Sequence, residues 1–308
     1  MSLEPGRPDE RRPPRERPSA RRGSADWIHA GGVLDCSRGR LVGIVNANPD
    51  SFSDGGAHAG TDRAVRHGLR LADQGADVVE VGGESLRFAP PSPPELEIAR
   101  VVPVIERLAS ELTVPVAIDT YKPEVARAAI AAGAAILNDP TGLREPEMAR
   151  LAADAGVGVV AGHFFGPPKV RPTSFPDVDV PAVVATWARE RVAWAGERGI
   201  PPERLVIDPR VGLGKSPPQD LDLLRRLDEV VAAGRPVLVP ISNKKVLGAI
   251  TGAPATRRLS GTAAALAWCR SRGATLFRVH NVRFLRGALE VAEALASGRP
   301  RRWHDVEK

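Results

Sequence analysis

From residue 41 onward the chain alternates eight times between a short apolar run and a segment with helix-like spacing of apolar residues. No other feature restricts the fold as much. The runs are LVGIVN (41–46), DVVEVGG (77–83), PVAID (115–119), AAILND (134–139), VGVVAGH (157–163), RLVIDP (204–209), PVLVPIS (236–242) and ATLFRVH (274–280). In the segment after the second run, Leu96, Ile98, Val101, Val102, Ile105 and Leu108 form one apolar stripe. Strict alternation implies parallel strands joined by helical crossovers. Eight such units predict a closed α/β architecture, a (β/α)8 TIM barrel, with the active site at the C-terminal ends of the strands. A doubly wound open sheet is the rival. No G-x-G-x-x-G follows the first strand and no Walker P-loop is present to favour it.

The 308 residues are 43% hydrophobic, enough for a large core. Residues 1–38 read as a disordered leader rich in Pro and Arg, 39–300 as the barrel and 301–308 as a tail. Up to Ala25 the leader holds seven Arg against four acidic residues, 7 − 4 = +3, half of the net charge of +6. Aromatics are only 4% of the chain, so stacking platforms for nucleic-acid bases are scarce and a nucleic-acid role is not expected. The basic balance suits a small anionic substrate equally well. Cys36 and Cys269 show neither C-x-x-C nor metal-ligand spacing, which fits a reducing compartment. There is no membrane-spanning apolar stretch and no signal-like segment, so a cytoplasmic location is expected.

Polar residues collect where the runs stop. Asn46 ends the first, Glu84 follows the second, Asp119 ends the third, and Asn138 with Asp139 the fourth. His163 ends the fifth and Asp208 the sixth; Ser242, Asn243, Lys244 and Lys245 follow the seventh, and Arg278 and His280 close the eighth. Singly, Asp139, Thr120 and Ser51 read as caps or turn formers. Together, so many polar groups at a barrel mouth would be costly to desolvate without partners or a ligand. Asp119, Asn138 and Asp208 offer two acceptors and an amide, a set suited to a flat heterocycle with adjacent ring N–H, amino and carbonyl groups. Lys244 could place a cation beside that ring. Asn46, Arg278 and His280 come from the first and last strands, which adjoin in a closed barrel. They read as a phosphate or pyrophosphate site with a divalent ion on hard oxygen ligands.

The stretches GIVNANPDSFSDGG, ADVVEVGGES, VAIDTYKPEVARAAIAAGAAILND, LVIDPRVGLGKSPPQDLDLLRRLDEV and RVHNV resemble the dihydropteroate synthase family, in order, from about residue 40 to 297. The resemblance implies a barrel enzyme, usually a homodimer. It joins 6-hydroxymethyl-7,8-dihydropterin pyrophosphate to p-aminobenzoate with Mg²⁺ and releases pyrophosphate. By the same resemblance, Asp119, Asn138, Asp208 and Lys244 would hold the pterin. Asn46 with Mg²⁺, together with Arg278 and His280, would hold the pyrophosphate. Phe52, Asp54 and Arg87 would sit on two closing loops, and Asp54 would stabilise a cation at the pterin methylene. Asp54, Lys244 and Arg278 are the expected catalytic residues.

The chain departs from the family's pattern on the p-aminobenzoate side. ESLRFAP stands for the usual E-S-T-R-P-G, placing Leu86, Phe88 and Ala89, and SNKK stands for S-R-K-S, placing Asn243 and Lys245. Elsewhere, AGHFFG stands near a usual M-H-M-R-G, and VHNV replaces V-H-D-V. An alternative is therefore a paralogue with an altered p-aminobenzoate pocket that binds pterin but has lost or changed the reaction. A weaker one is a methyl-tetrahydrofolate-binding module; no cobalamin domain follows the barrel, and the NPDSFSDGG loop suits pyrophosphate release.

Overall fold

A computed structural model describes residues 25–47, 56–84, 90–170, 174–300, 302 and 303. In chain order the elements are β1 (Asp26–His29), β2 (Gly32–Asp35), β3 (Arg40–Asn46), α1 (Gly56–Asp73), β4 (Val78–Gly82), α2 (Pro94–Glu111), β5 (Val116–Asp119) and α3 (Pro123–Ala131). Next come β6 (Ile136–Asp139), α4 (Pro146–Ala155), β7 (Gly158–Gly162), α5 (Val180–Gly196), β8 (Leu205–Asp208), α6 (Pro217–Arg225) and α7 (Leu227–Val231). The last are β9 (Leu238–Val239), α8 (Lys245–Thr251), α9 (Leu259–Ser271), β10 (Leu276–Val279) and α10 (Val282–Ser297). Proline at the first turn of α2, α3 and α4 sits where its missing N–H has no helical partner to lose. Ser216 starts α6 through a reciprocal capping box with Gln219.

The eight strands from β3 to β10 form one parallel sheet in the order β8-β7-β6-β5-β4-β3-β10-β9. A parallel bridge between Ile207 and Val237 joins its two ends. This is the (β/α)8 barrel that the alternation predicts, with each predicted run at its expected strand.

Two-residue periodicity sorts the barrel's side chains. Leu41, Val79, Ile118, Leu137, Val159, Ile207 and Phe277 face outward and join the helices in the large core. Val42, Val78, Ala117, Ile136, Val160, Val206, Leu238 and Leu276 meet inside the barrel in a second cluster. One strand step further along stand Glu80, Asp119, Asn138, Gly162, Asp208 and Arg278. The interior thus changes from apolar to charged within a single step.

The expectation of a disordered leader through residue 38 is corrected over its last third. β1 and β2 form an antiparallel hairpin with Asp26 opposite Asp35. Trp27 and Cys36 complete the apolar cluster inside the barrel, and the Trp27 indole N–H donates to the Arg204 carbonyl at 3.0 Å. A bottom layer made only of aliphatic side chains would face water at the N-terminal end, and the hairpin covers it. A composition dominated by Arg and Pro up to residue 25 hides this short strand pair. Trp27 is 1% exposed, so Trp27→Ala should destabilise the barrel by about 3–5 kcal/mol. Chemical denaturation measures this, and a loss below about 1 kcal/mol would mean that the hairpin is not part of the core.

Candidate active site

At the C-terminal end of the barrel the inward side chains form one connected polar cluster. Arg278, from β10, donates through Nε to Glu80 of β4 and through Nη2 to Asp119 of β5 at 2.6 Å. The other Glu80 oxygen accepts from the Asn138 amide of β6 at 2.6 Å. The Asn138 oxygen accepts from Nη2 of Arg210 at 2.6 Å. Arg210 lies two residues beyond β8; its Nε stands 3.1 Å from Asp208 Oδ2 and its backbone N–H donates to Asp208 Oδ1 at 2.6 Å. Residues contributed by β4, β5, β6, β10 and the segment after β8 therefore share one chain of contacts.

The electrostatics follow from burial. Glu80, Asn138, Asp208 and Arg210 are all at most 1% exposed. Loss of solvation raises the Glu80 and Asp208 carboxyls above their ordinary range, against the lowering effect of the neighbouring guanidinium groups. Burial alone would lower the Arg278 guanidinium, but Glu80 and Asp119 outweigh it and hold it above its ordinary value. Lys244, at the start of α8, is pushed down to about 8 by burial and then by Arg278. Its stem lies on Gly212, where an added Cβ would stand 2.9 Å from Cδ of Lys244.

Asp119, Asn138, Asp208, Lys244 and Arg278, all singled out in the sequence, come together here. Asn46 is exposed at the tip of β3, beside Gly82 of β4. His280 is exposed at the end of β10, with Nδ1 2.9 Å from the Ser242 hydroxyl. Phe52, Asp54 and Arg87 lie outside the described residues, as do Ser51, Leu86, Phe88 and Ala89. Lys245 is exposed on the first turn of α8.

Asp139 serves the backbone, accepting from Thr141 N at 2.7 Å and Leu143 N at 2.9 Å. Glu84 binds the Tyr121 hydroxyl at 3.0 Å and Lys122 at 3.1 Å, away from the central cluster.

Two central residues escaped the sequence reading. Glu80 was detectable as the charge flanked by valines on both sides in DVVEVGG, at a position whose parity points inward. Arg210 had a fainter signal, a long cation between Asp208 and two glycines in DPRVGLG, where a barrel-mouth loop normally needs small residues.

His163 is buried, with its ring edge-on to Phe165 and Trp187 at 4.6 and 5.1 Å between centroids. Burial, then Lys215 and Arg144, push its pKa from 6.5 down to about 3. The folded protein keeps it neutral while the unfolded chain takes up a proton, so stability falls as pH drops from about 6.5 toward 3. From pH 6.5 to 5 this group should remove about 2 kcal/mol. His163→Phe should lose that part of the pH dependence in urea unfolding curves; an unchanged dependence would refute the assignment.

Comparisons with known proteins agree with this geometry. The family described as pterin binding enzyme matches residues 42–280. Dihydropteroate synthase of Escherichia coli K12 is 38% identical over 270 residues, 87% of this chain and 96% of that protein. A probable bifunctional folylpolyglutamate synthase/dihydropteroate synthase of Halobacterium salinarum is 44% identical over 85% of this chain, which spans only 32% of that longer protein. A protein named inactive dihydropteroate synthase 2, from Mycobacterium leprae, is 38% identical over 88% of this chain and 95% of its own length. The structure of Xanthomonas albilineans dihydropteroate synthase with 4-aminobenzoic acid superposes with a TM-score of 0.81 at 44% identity, covering 88% of this chain and 98% of that one. A match that runs from β3 to the end of β10 and takes in every strand of the polar cluster makes this chain a member of the pterin-binding enzyme family, alongside the dihydropteroate synthases.

Proposed function

We propose that this chain is a dihydropteroate synthase, condensing 6-hydroxymethyl-7,8-dihydropterin pyrophosphate with p-aminobenzoate to give 7,8-dihydropteroate and pyrophosphate. The observation that carries this reading is the convergence of Asp119, Asn138, Asp208, Lys244 and Arg278 on one buried mouth. Two carboxylates and an amide match the donor-rich edge of a pterin, and buried acceptors without such donors are expensive. Lys244 has a cation to place beside the ring. Arg278 on β10 and His280 just after it lie on the strand that pairs with β3, which ends at Asn46, and this corner suits the diphosphate.

In this reading the chain's residues bind and orient. Asp119, Asn138 and Asp208 fix the pterin plane, and Arg278 lies between that ring and the anion so that charge lost at the methylene is balanced where it leaves. The amine is a weak nucleophile and needs mainly positioning. The cation-stabilising role of Asp54 and the covering roles of Phe52 and Arg87 belong to the same proposal.

Mg²⁺ fits the mouth through Asn46 together with the substrate. Among the described residues no group of three or more His, Cys, Asp or Glu could hold a metal. A magnesium ion, though, commonly takes one or two protein oxygens and otherwise substrate phosphates and water. The Asn46 side-chain oxygen suits that role, and when bound the ion would neutralise leaving-group charge.

A homodimer forms part of the proposal. Phe284, Val291 and Leu295 lie on one face of α10 and are 50%, 61% and 81% exposed. Such a row favours burial against a second copy. No described helix is long and apolar enough to cross a membrane. A cytoplasmic setting is proposed from Cys36 and Cys269, free buried thiols that burial pushes up to about 12.

Incubation with the pterin pyrophosphate, Mg²⁺ and p-aminobenzoate should yield dihydropteroate and pyrophosphate in step; pterin binding without product would favour the altered-pocket paralogue. Asp119→Ala and Asn138→Ala should each weaken pterin binding by roughly 1–3 kcal/mol, and unchanged affinity in both would remove the pocket assignment. Leu295→Glu with Val291→Glu should shift a dimer to monomer in sedimentation, and an unshifted dimer would exclude this face.

A further inference from the structure

We propose that the Arg210 side chain is a built-in occupant of the pterin pocket. Its guanidinium stands where the amino-pyrimidinone edge of the ring would bind, and the substrate enters by displacing it. The inference rests on the pterin-binding reading above.

Arg210 is 1% exposed and touches the same three groups that suit the heterocycle. Its Nη2 donates to Asn138 and lies 3.7 Å from Asp119 Oδ1, and its Nε faces Asp208 Oδ2 at 3.1 Å. A guanidinium presents two N–H donors on a planar N–C–N fork. The 2-amino group and adjacent ring nitrogen of a pterin present the same pattern. The pocket's shape and acceptors are therefore answered from within the chain.

The occupancy is imperfect in a way that a permanent structural ion pair is not. Asp119 Oδ1, Asp208 Oδ2 and Arg210 Nε are buried without an aligned hydrogen bond, although the charges are close. Arg278 provides the contrast. It projects from a strand and donates hydrogen bonds to both Glu80 and Asp119. Arg210 instead sits on a loop with φ at 52°, a left-handed conformation that side-chain-bearing residues rarely adopt.

Space for the side chain is also specific. A Cβ built on Gly162, at the end of β7, would overlap Arg210 Nε and the Pro140 carbonyl. The stem lies where that strand presents no side chain. Gly212 and Gly214, at φ 83° and 68°, follow in the same loop and give it the backbone freedom to carry Arg210 out.

The test is calorimetric titration of 6-hydroxymethylpterin into the full chain and its Arg210→Ala and Arg210→Lys variants, with folding checked by circular dichroism. Arg210→Ala should bind at least tenfold more tightly than the parent, and adding Asn138→Ala should abolish the gain. Arg210→Lys, which keeps the charge but loses the fork, should fall between them and carries the comparison if the alanine variant does not fold. Equal or weaker binding by the variants, with the parent binding pterin, would overturn the occupancy and leave the synthase reading intact. If neither parent nor variant binds pterin, the synthase reading fails, and guanidinium chloride at millimolar concentration decides the occupancy. A rise in the melting temperature of Arg210→Ala, not matched by sodium chloride or by the parent, would support it; no rise would overturn it.

Discussion

The structure turns on a balance of buried charge. Glu80, Asp119 and Asp208 lie among Arg210, Arg278 and Lys244 at the top of a barrel whose lower interior is wholly apolar. An unpaired carboxylate here would lose several kcal/mol of solvation, and removal of one partner from a buried pair typically destabilises by about 3–5 kcal/mol. Glu80 on β4 and Asp119 on β5 are therefore tied to Arg278 on β10, and Asp208 to Arg210 just beyond its own strand. The site is also a clamp on the barrel's upper end.

The lower end is held by different means. Aliphatic side chains meet there in one layer, and the Trp27 hairpin lies across it. Around that layer, buried Arg235 ties the hairpin to β8 through the Asp26 and Leu205 carbonyls, and Arg40 pairs with Asp77. The separation is useful: the apolar layer and the surrounding helices supply stability, leaving the upper layer free to carry carboxylates and guanidinium groups whose arrangement serves binding instead. Burial keeps those groups away from water, so each contact is stronger than it would be on the surface, and each missing contact is more costly.

This gives the sequence departures a physical setting. Lys245 faces solvent, so replacing the usual serine there adds a surface charge and leaves the central cluster alone. Gly162 lies within the AGHFFG departure and takes part in the site by what it lacks, because its missing side chain is the room in which Arg210 packs. A residue two positions beyond Asp208 thus reaches back across the mouth to Asn138 on another strand.

The amino-acid order alone determined the barrel, the strand boundaries to within a few residues and most of the polar ring, because alternation and parity are local properties that any stretch displays by itself. It also located Asp119, Asn138, Asp208, Lys244 and Arg278, since polar residues that terminate apolar runs must converge once the sheet closes. Local pattern could not decide where a long side chain on a loop would go. The direction of Arg210 depends on a left-handed backbone, on an absent Cβ at Gly162 and on acceptors from three other strands. The hairpin at residues 26–35 is similar: its strands are four residues each, too short to stand out beside the charged stretch before them, and they hold only because the barrel offers Trp27 an apolar end to cover. Both depend on surfaces that exist only after distant segments have met.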